Sequence, residues 1–304
     1  MVSNRHLPRA LRATSVIVCL LWMPISFSQA FDSELLDRAR SISNMVPGDH
    51  PLEVRFQDFV QWSEALSLYV EDAAPDEVPF VCGVFQIRFA DGWIMVDAGA
   101  DREYWVGDPS AFSEEKYAIV GEALSRANMI VLTHEHGDHA ASLFRGIWAD
   151  EAGKRALLTV EQKDSFLAAS PDDPITRITP DEADRILVAS YEELLAIAPG
   201  VVLVKAPGHT PGSQIVFVTL ASGEEILLIG DVVWHESQIQ SGSQKGQYSY
   251  DLNEDREALR LQIQWLQEVI KTNTHVIAAH DLVALEAKFA DGVLTKGLDL
   301  SQRD

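Results

Sequence analysis

Cysteine is nearly absent from this sequence: there are two in 304 residues, Cys19 and Cys82. Cys19 lies in a segment that reads as a removable leader, so Cys82 stands alone in the remaining chain and no intramolecular disulfide can form. The fold must then rest on its core. Cys82 itself sits in the apolar stretch Val78 to Phe89 and reads as a small buried hydrophobe rather than a reactive thiol. Positive charge is also scarce, with 24 Lys and Arg against 46 Asp and Glu. Such a surface repels phosphate backbones, so no nucleic-acid partner is expected. The sequence has no Gly-x-Ser-x-Gly elbow, no Gly-x-x-x-x-Gly-Lys phosphate loop and no dinucleotide fingerprint, which leaves three large enzyme classes without support. Internal repeats and low-complexity tracts are missing too.

What is present begins with the first 30 residues. Arg5, Arg9 and Arg12 precede an apolar run from about Ala13 to Phe27, followed by Ser28-Gln29-Ala30. Basic, apolar and small-residue regions in that order predict a secretory signal cleaved after Ala30, and hence a periplasmic or secreted protein. The run is shorter than the roughly 20 residues a membrane span needs, and Pro24 interrupts it, so no stable membrane insertion is expected after cleavage. Val16-Ile17-Val18 before Cys19 lacks the small residue of a lipoprotein signal. There is no adjacent arginine pair, which points to export of an unfolded chain with metal acquired afterwards. Losing residues 1–30 removes three arginines and no acids, leaving 21 bases, 46 acids and a formal charge of −25.

Residues 31–304, drawn from a chain that is 47% hydrophobic, are enough for one layered domain. Alternation predicts a strand over Leu52 to Val60 and a hairpin of Val84–Phe89 with Trp93–Asp97 around a glycine-containing turn. Further strands are expected at Met129–Leu132, Leu157–Val160, Val201–Lys205, Gln214–Leu220 and Ile226–Ile229. Helical spacing marks Ser33–Ser43, Ser113–Arg126, Glu161–Ala168, Asn253–Lys271 and Leu282–Phe289. Strands in two clusters with interspersed helices predict an α/β layered architecture. Gln238 to Tyr250, rich in Gln, Ser and Gly, reads as a mobile loop that buries little and is placed to act either as a lid or as a plain solvated connection.

Chemistry concentrates where an apolar strand ends. Thr133-His134-Glu135-His136-Gly137-Asp138-His139 puts three imidazoles and a carboxylate within six residues. In an extended backbone His134 and His136 fall on one side and can share an ion, while Asp138 and His139 at the following turn can face a second. His209, Asp231 and His280 each follow an apolar run, in Pro207-Gly208-His209-Thr210-Pro211-Gly212, Ile229-Gly230-Asp231 and Ala278-Ala279-His280. Singly, each has an ordinary alternative as a turn residue, a cap or a satisfied histidine. Together they supply three histidines for one ion, two histidines and a carboxylate for another, and one carboxylate to bridge.

His-x-His-x-Asp-His followed in order by His, Asp and His resembles the metallo-β-lactamase-fold hydrolases, and the likeness spans nearly all of residues 31–304. Val96-Asp97-Ala98-Gly99 resembles the family's first conserved turn, whose aspartate orients the ligand loop from behind. The resemblance implies a single-domain, four-layer αββα sandwich with the site at one edge. It further implies His134, His136 and His209 on the first metal, Asp138, His139 and His280 on the second, and Asp231 bridging. Imidazole and carboxylate donors without thiolate suit two Zn²⁺, and the oxygen bridge also admits Fe or Mn. The expected reaction is hydrolysis by a hydroxide shared between the ions, with Asp138 accepting a proton.

The substrate is expected to be a small molecule. Antibiotic-degrading members generally lack the bridging aspartate, so Asp231 favours an ester, lactone or thioester over a β-lactam. Only 24 residues follow His280, too few for the helical substrate domain of a glyoxalase II. Lactonases of the family commonly place a tyrosine shortly after the bridging aspartate, where this chain has Trp234-His235. The alternatives are β-lactam hydrolysis and binding of metal or ligand without turnover.

Overall fold

The computed structural model describes residues 31–105, 107–169, 177–250 and 252–301; the expected leader over 1–30 lies outside the described residues. Among the described residues twelve strands are formed: β1 Glu53–Ala65, β2 Glu77–Phe89, β3 Gly92–Val96, β4 Met129–Val131, β5 Leu157–Thr159 and β6 Leu187–Ala189. The second half supplies β7 Leu194–Ala198, β8 Val201–Lys205, β9 Gln214–Thr219, β10 Glu225–Leu228, β11 Thr274–Ile277 and β12 Thr295–Lys296. One sheet runs in the order β12-β1-β2-β3-β4 and a second in the order β11-β10-β9-β8-β7, with β5 and β6 as a separate parallel pair.

Apolar residues on both faces of these strands decide how the layers stack, because successive side chains point to opposite sides. Val54, Phe56, Phe85 and Ile87 of the first sheet meet Leu203, Val216, Val218 and Leu228 of the second in a dry interior. The intervening residues face outward and need cover. Trp93 and Met95 pack beneath helices Glu114–Arg126 and Gly137–Phe144. Val202, Val204, Ile215, Phe217 and Leu227 pack beneath helices Leu35–Ser43 and Arg256–Val269. The result is the expected single-domain αββα sandwich. A fully buried Val, Leu, Ile or Phe contributes about 1.5–3 kcal/mol, whereas an exposed ion pair contributes about 0–1 kcal/mol, so the cores carry this disulfide-free fold.

The helices start where their caps dictate. Ser113 Oγ accepts the Lys116 N–H and Asp255 Oδ1 accepts the Ala258 N–H, each satisfying a donor the first turn leaves free. No helix among the described residues is long and apolar enough to cross a membrane.

Among the differences from expectation, two bear on the packing near the site. β1 continues to Ala65, through a bulge between Asp58 and Val60, because its outer half pairs with β2 along the whole ladder despite polar Gln61, Ser63 and Glu64. Gln238 to Tyr250 buries more than its composition predicts: Gln238, Ile239, Lys245 and Ser249 are all inside. The helical turn Ser237–Ser241 opens the segment, and Gly242 ends that turn at a φ of 75°. Gln238 is drawn in by its side-chain oxygen, which accepts the N–H groups of Trp234 and His235 at 2.9 and 3.1 Å.

Site residues are delivered by strand ends. β3 leads into Asp97, β4 into the His134 to His139 segment, β8 toward His209, β10 into Asp231 and β11 into His280. β3 and β4 are parallel, as are β10 and β11, and β8 runs in the same sense because both β8 and β10 are antiparallel to β9. Five carboxyl ends therefore open on one edge of the sandwich.

Candidate metal centre

All seven side chains singled out as ligands converge at that edge. Donor atoms within 4.8 Å of one another define three groups: His134, His136 and His209; Asp138, His139 and His280; and His134, His139 and Asp231. The first two are the sets implied by the resemblance, and Asp231 lies between them. Its Oδ1 stands 3.3 Å from His139 Nε2 and 3.2 Å from His280 Nε2, while its Oδ2 stands 3.5 Å from His209 Nε2 and 3.9 Å from His134 Nε2. One carboxylate thus turns an oxygen toward each group. Asp138 Oδ2, on the open side, is 3.6 Å from His139 Nε2 and 3.5 Å from His280 Nε2.

The histidine tautomers are set from behind. A backbone carbonyl or a carboxylate only accepts, so His280 Nδ1–H donates to Val81 O at 2.7 Å and His139 Nδ1–H donates to Asp97 Oδ2 at 2.9 Å. In the neutral rings both Nε2 atoms are then bare, and they face each other at 3.1 Å. Two lone pairs so close repel unless a cation or proton lies between them. Two nitrogens sharing a tetrahedral ion at about 2.1 Å would stand about 3.4 Å apart, close to what is seen. His134 Nε2, His209 Nε2 and Asp231 Oδ1 are likewise buried without a hydrogen-bond partner. Buried polar atoms seldom go unsatisfied, so this donor set fits divalent cations.

Asp97 repays a closer look at its backbone, which holds a φ of 67°. That left-handed conformation costs an L-residue about 1–2 kcal/mol, least for Asp and Asn. In return the carboxylate points inward, accepting the Thr133 N–H at 2.6 Å and the Thr133 hydroxyl at 3.0 Å as well as His139 Nδ1–H. It ties the strand end of β3 to that of β4.

Electrostatics follow from burial and company. Burial alone would raise the Asp231 carboxyl, but the imidazoles of His280, His139 and His134 more than offset it and hold it well below the usual range. Burial pushes His134 well below its ordinary value, and the neighbouring His139 adds to the effect. His139 moves the other way: burial opposes its charge, but Asp138, Asp231 and Asp97 outweigh that and raise it well above. Burial, aided by Lys245, takes His209 down to about 4. Cys82 is buried as expected, its thiol pushed well up by burial and donating to Asp138 O at 3.3 Å.

Several supporting residues escaped the sequence reading. Glu135, between the first two histidines, is buried and accepts from Thr210 Oγ1 at 2.7 Å, Gly212 N at 3.1 Å and Ser165 Oγ at 3.1 Å. It ties the His134 to His139 segment to the loop carrying His209. Trp234 is more than packing, since its Nε1–H donates to Asp231 Oδ2 at 2.6 Å. His235 lies one layer back, 3.5 Å from Asp281. Glu254 accepts from His209 Nδ1, and Lys245 reaches both; neither carries a motif that marks it.

Two cavities open on the centre. One of about 320 Å³ is lined by Trp62, Tyr104, Trp105, Trp234 and Tyr248 over Asp138, Asp231 and His280. The other, of about 1100 Å³, lies beyond His136 and His209 and is edged by Glu161, Glu192, Lys205 and Asp255.

A family model described as the metallo-beta-lactamase superfamily matches residues 79–275. No curated protein sequence matches the chain significantly. Among solved structures, an N-acyl homoserine lactone hydrolase with the product N-hexanoyl-L-homoserine at its catalytic metal centre is similar, with a TM-score of 0.60, 18% identity, and coverage of 78% of this chain and 96% of that one. A quorum-quenching N-acyl homoserine lactone lactonase aligns with a TM-score of 0.62 at 18% identity over 80% of this chain and 97% of its own. A dizinc quorum-quenching lactonase in complex with a product aligns with a TM-score of 0.54 at 13% identity over 77% and 90%.

Proposed function

This chain belongs to the metallo-beta-lactamase superfamily, and from that premise we propose that it hydrolyses neutral lactones or esters, thioesters included, with two divalent metal ions. The observation that carries the proposal is the division of Asp231 between two groups of imidazoles, one oxygen to each. His134, His136 and His209 would hold one ion, Asp138, His139 and His280 the other, and Asp231 both. Zinc suits these thiolate-free donors best, with iron or manganese as alternatives. Bound there, such a pair supplies a water acidified toward a pKa of about 7 and polarisation of the substrate carbonyl.

The chain's own groups do the rest. Asp138, on the cavity side and a third exposed, is placed to take a proton from the attacking water and return it to the leaving oxygen or sulfur. Asp97 and Val81 O hold His139 and His280 in the tautomer that leaves Nε2 bare. Trp234 holds Asp231 in place through its indole N–H. The aromatic cavity, about 320 Å³, is roomy enough for a compact acyl or ring group and offers it an apolar wall. Among the described residues its lining holds no Lys or Arg, so no cationic side chain there would pair with a substrate carboxylate or phosphate. The fold likeness to N-acyl homoserine lactone hydrolases supports a lactone as the leading class. Export through residues 1–30 belongs to the same proposal, and is read from the sequence alone.

Hydrolysis assays with a matched panel test this reading: neutral lactones, esters and thioesters, a phosphodiester and a chromogenic β-lactam. Metal-dependent turnover of the neutral carbonyl substrates is expected, with little on the two anionic ones. Rapid β-lactam cleavage would overturn the ranking, and bound metal with no turnover of any substrate would make the protein a metal-binding one.

A further inference from the structure

Lys245 is 1% exposed, an unusual place for an ammonium. It sits at the centre of the segment that composition alone marks as a solvated loop. Val70 pairs with it in an isolated bridge, and its carbonyl accepts from Arg256, so its backbone is fixed on both sides. Its Nζ stands 2.6 Å from Glu254 Oε1 and 2.8 Å from His209 Nδ1. The same ammonium lies 4.6 Å from the centre of the Trp234 ring, whose N–H holds Asp231. Lys245 thus touches one of the seven converging side chains, His209, and is one contact removed from a second, Asp231.

The hydrogen-bond arithmetic at His209 is restrictive. Nδ1 meets a carboxylate, which only accepts, and an ammonium, which only donates. If Nδ1 carries the proton it donates to Glu254, and Nε2 is bare. If Nδ1 instead accepts from Lys245, the proton is on Nε2, the atom that faces Asp231 from 3.5 Å. Only the first tautomer can bind a cation through Nε2.

We propose that Glu254 and Lys245 form a buried positioning pair for His209: Glu254, by accepting from Nδ1–H, selects the tautomer with Nε2 bare, and Lys245, 2.6 Å from Glu254 Oε1, holds that carboxylate in place. The proposal rests on His209 being a metal ligand. Neither residue touches substrate. With Glu254 removed, Lys245 becomes the only polar side chain among the described residues that hydrogen-bonds Nδ1, and it turns from support into opposition, driving the proton onto Nε2. The pair therefore makes a prediction that packing does not: the single loss is worse than the double.

The test compares wild type, Glu254→Ala and the Lys245→Met/Glu254→Ala double variant by zinc affinity in chelator competition, with ¹⁵N NMR of the metal-free His209 ring. Glu254→Ala is expected to bind zinc about 10–100-fold more weakly, the range typical for losing a partner behind a metal-bound histidine. The double variant should recover much of that loss. In the metal-free wild type the His209 proton should be on Nδ1, a reading that holds even where Glu254→Ala folds poorly. Equal affinities in all three proteins, equal losses in single and double variants, or a wild-type proton on Nε2 would each overturn the pair's role. A wild type that binds no zinc at all would instead remove the metal reading beneath it.

Discussion

At the scale of single residues, the centre is governed by which atoms are left without partners and which are not. Asp231 is kept charged by three imidazoles, and the buried Nε2 atoms around it have their opposite nitrogens occupied from behind. Glu236, five residues on, has no such company. Its Oε1 is buried without a partner, and burial pushes its carboxyl from an ordinary 4.5 to about 7, with Lys288 only partly opposing the effect. The folded chain then holds a proton that the unfolded chain has released between those two values, so this residue makes stability fall as pH rises from about 4.5 to 7. Glu236→Gln removes the penalty. Chemical denaturation should find the variant equal to wild type near pH 4 and more stable at pH 8, by on the order of 3–4 kcal/mol for the rise from 4.5 to about 7 at about 1.4 kcal/mol per pKa unit. A variant no more stable at pH 8 would show that Glu236 is better solvated than its surroundings indicate.

At the scale of elements, helix Arg256–Val269 links the core to the site. Its inner face, Leu259, Ile263, Leu266 and Val269, is buried on the second sheet, and the residue just before its cap is Glu254 followed by Asp255. Asp255 also donates its backbone N–H to Gly208 O at 2.8 Å, next to His209. Fraying this end therefore disturbs the site as well as the helix. Asp255→Ala should cost about 1 kcal/mol of stability, read by denaturant unfolding, and weaken zinc binding while leaving the far end of the helix protected in hydrogen exchange. Stability equal to wild type would mean the cap contributes nothing here. The same region shows what the sequence made legible. His134 to His139 announces itself because four donors crowd into one turn, and the strands announce themselves because both faces are apolar. Glu254 and Lys245 look like a helix-start acid and a loop lysine, since nothing local says that nine residues of chain will fold back to pair them. β7 passed unread for a related reason: it is short, and its partner β8 decides that it becomes a strand.

At the scale of the whole molecule, an acidic chain with one buried cysteine folds two sheets face to face and gathers five strand ends on one edge. The cores hold those ends still, and an aromatic cavity without cations covers the donors they carry. Everything proposed for function depends on two ions sharing Asp231. Metal analysis of the purified protein after zinc loading tests that most directly, with His280→Ala alongside. The account predicts about two zinc ions per chain in wild type and about one in the variant, because His280 serves only the group with Asp138 and His139. One ion or none in wild type, or two retained without His280, would contradict it.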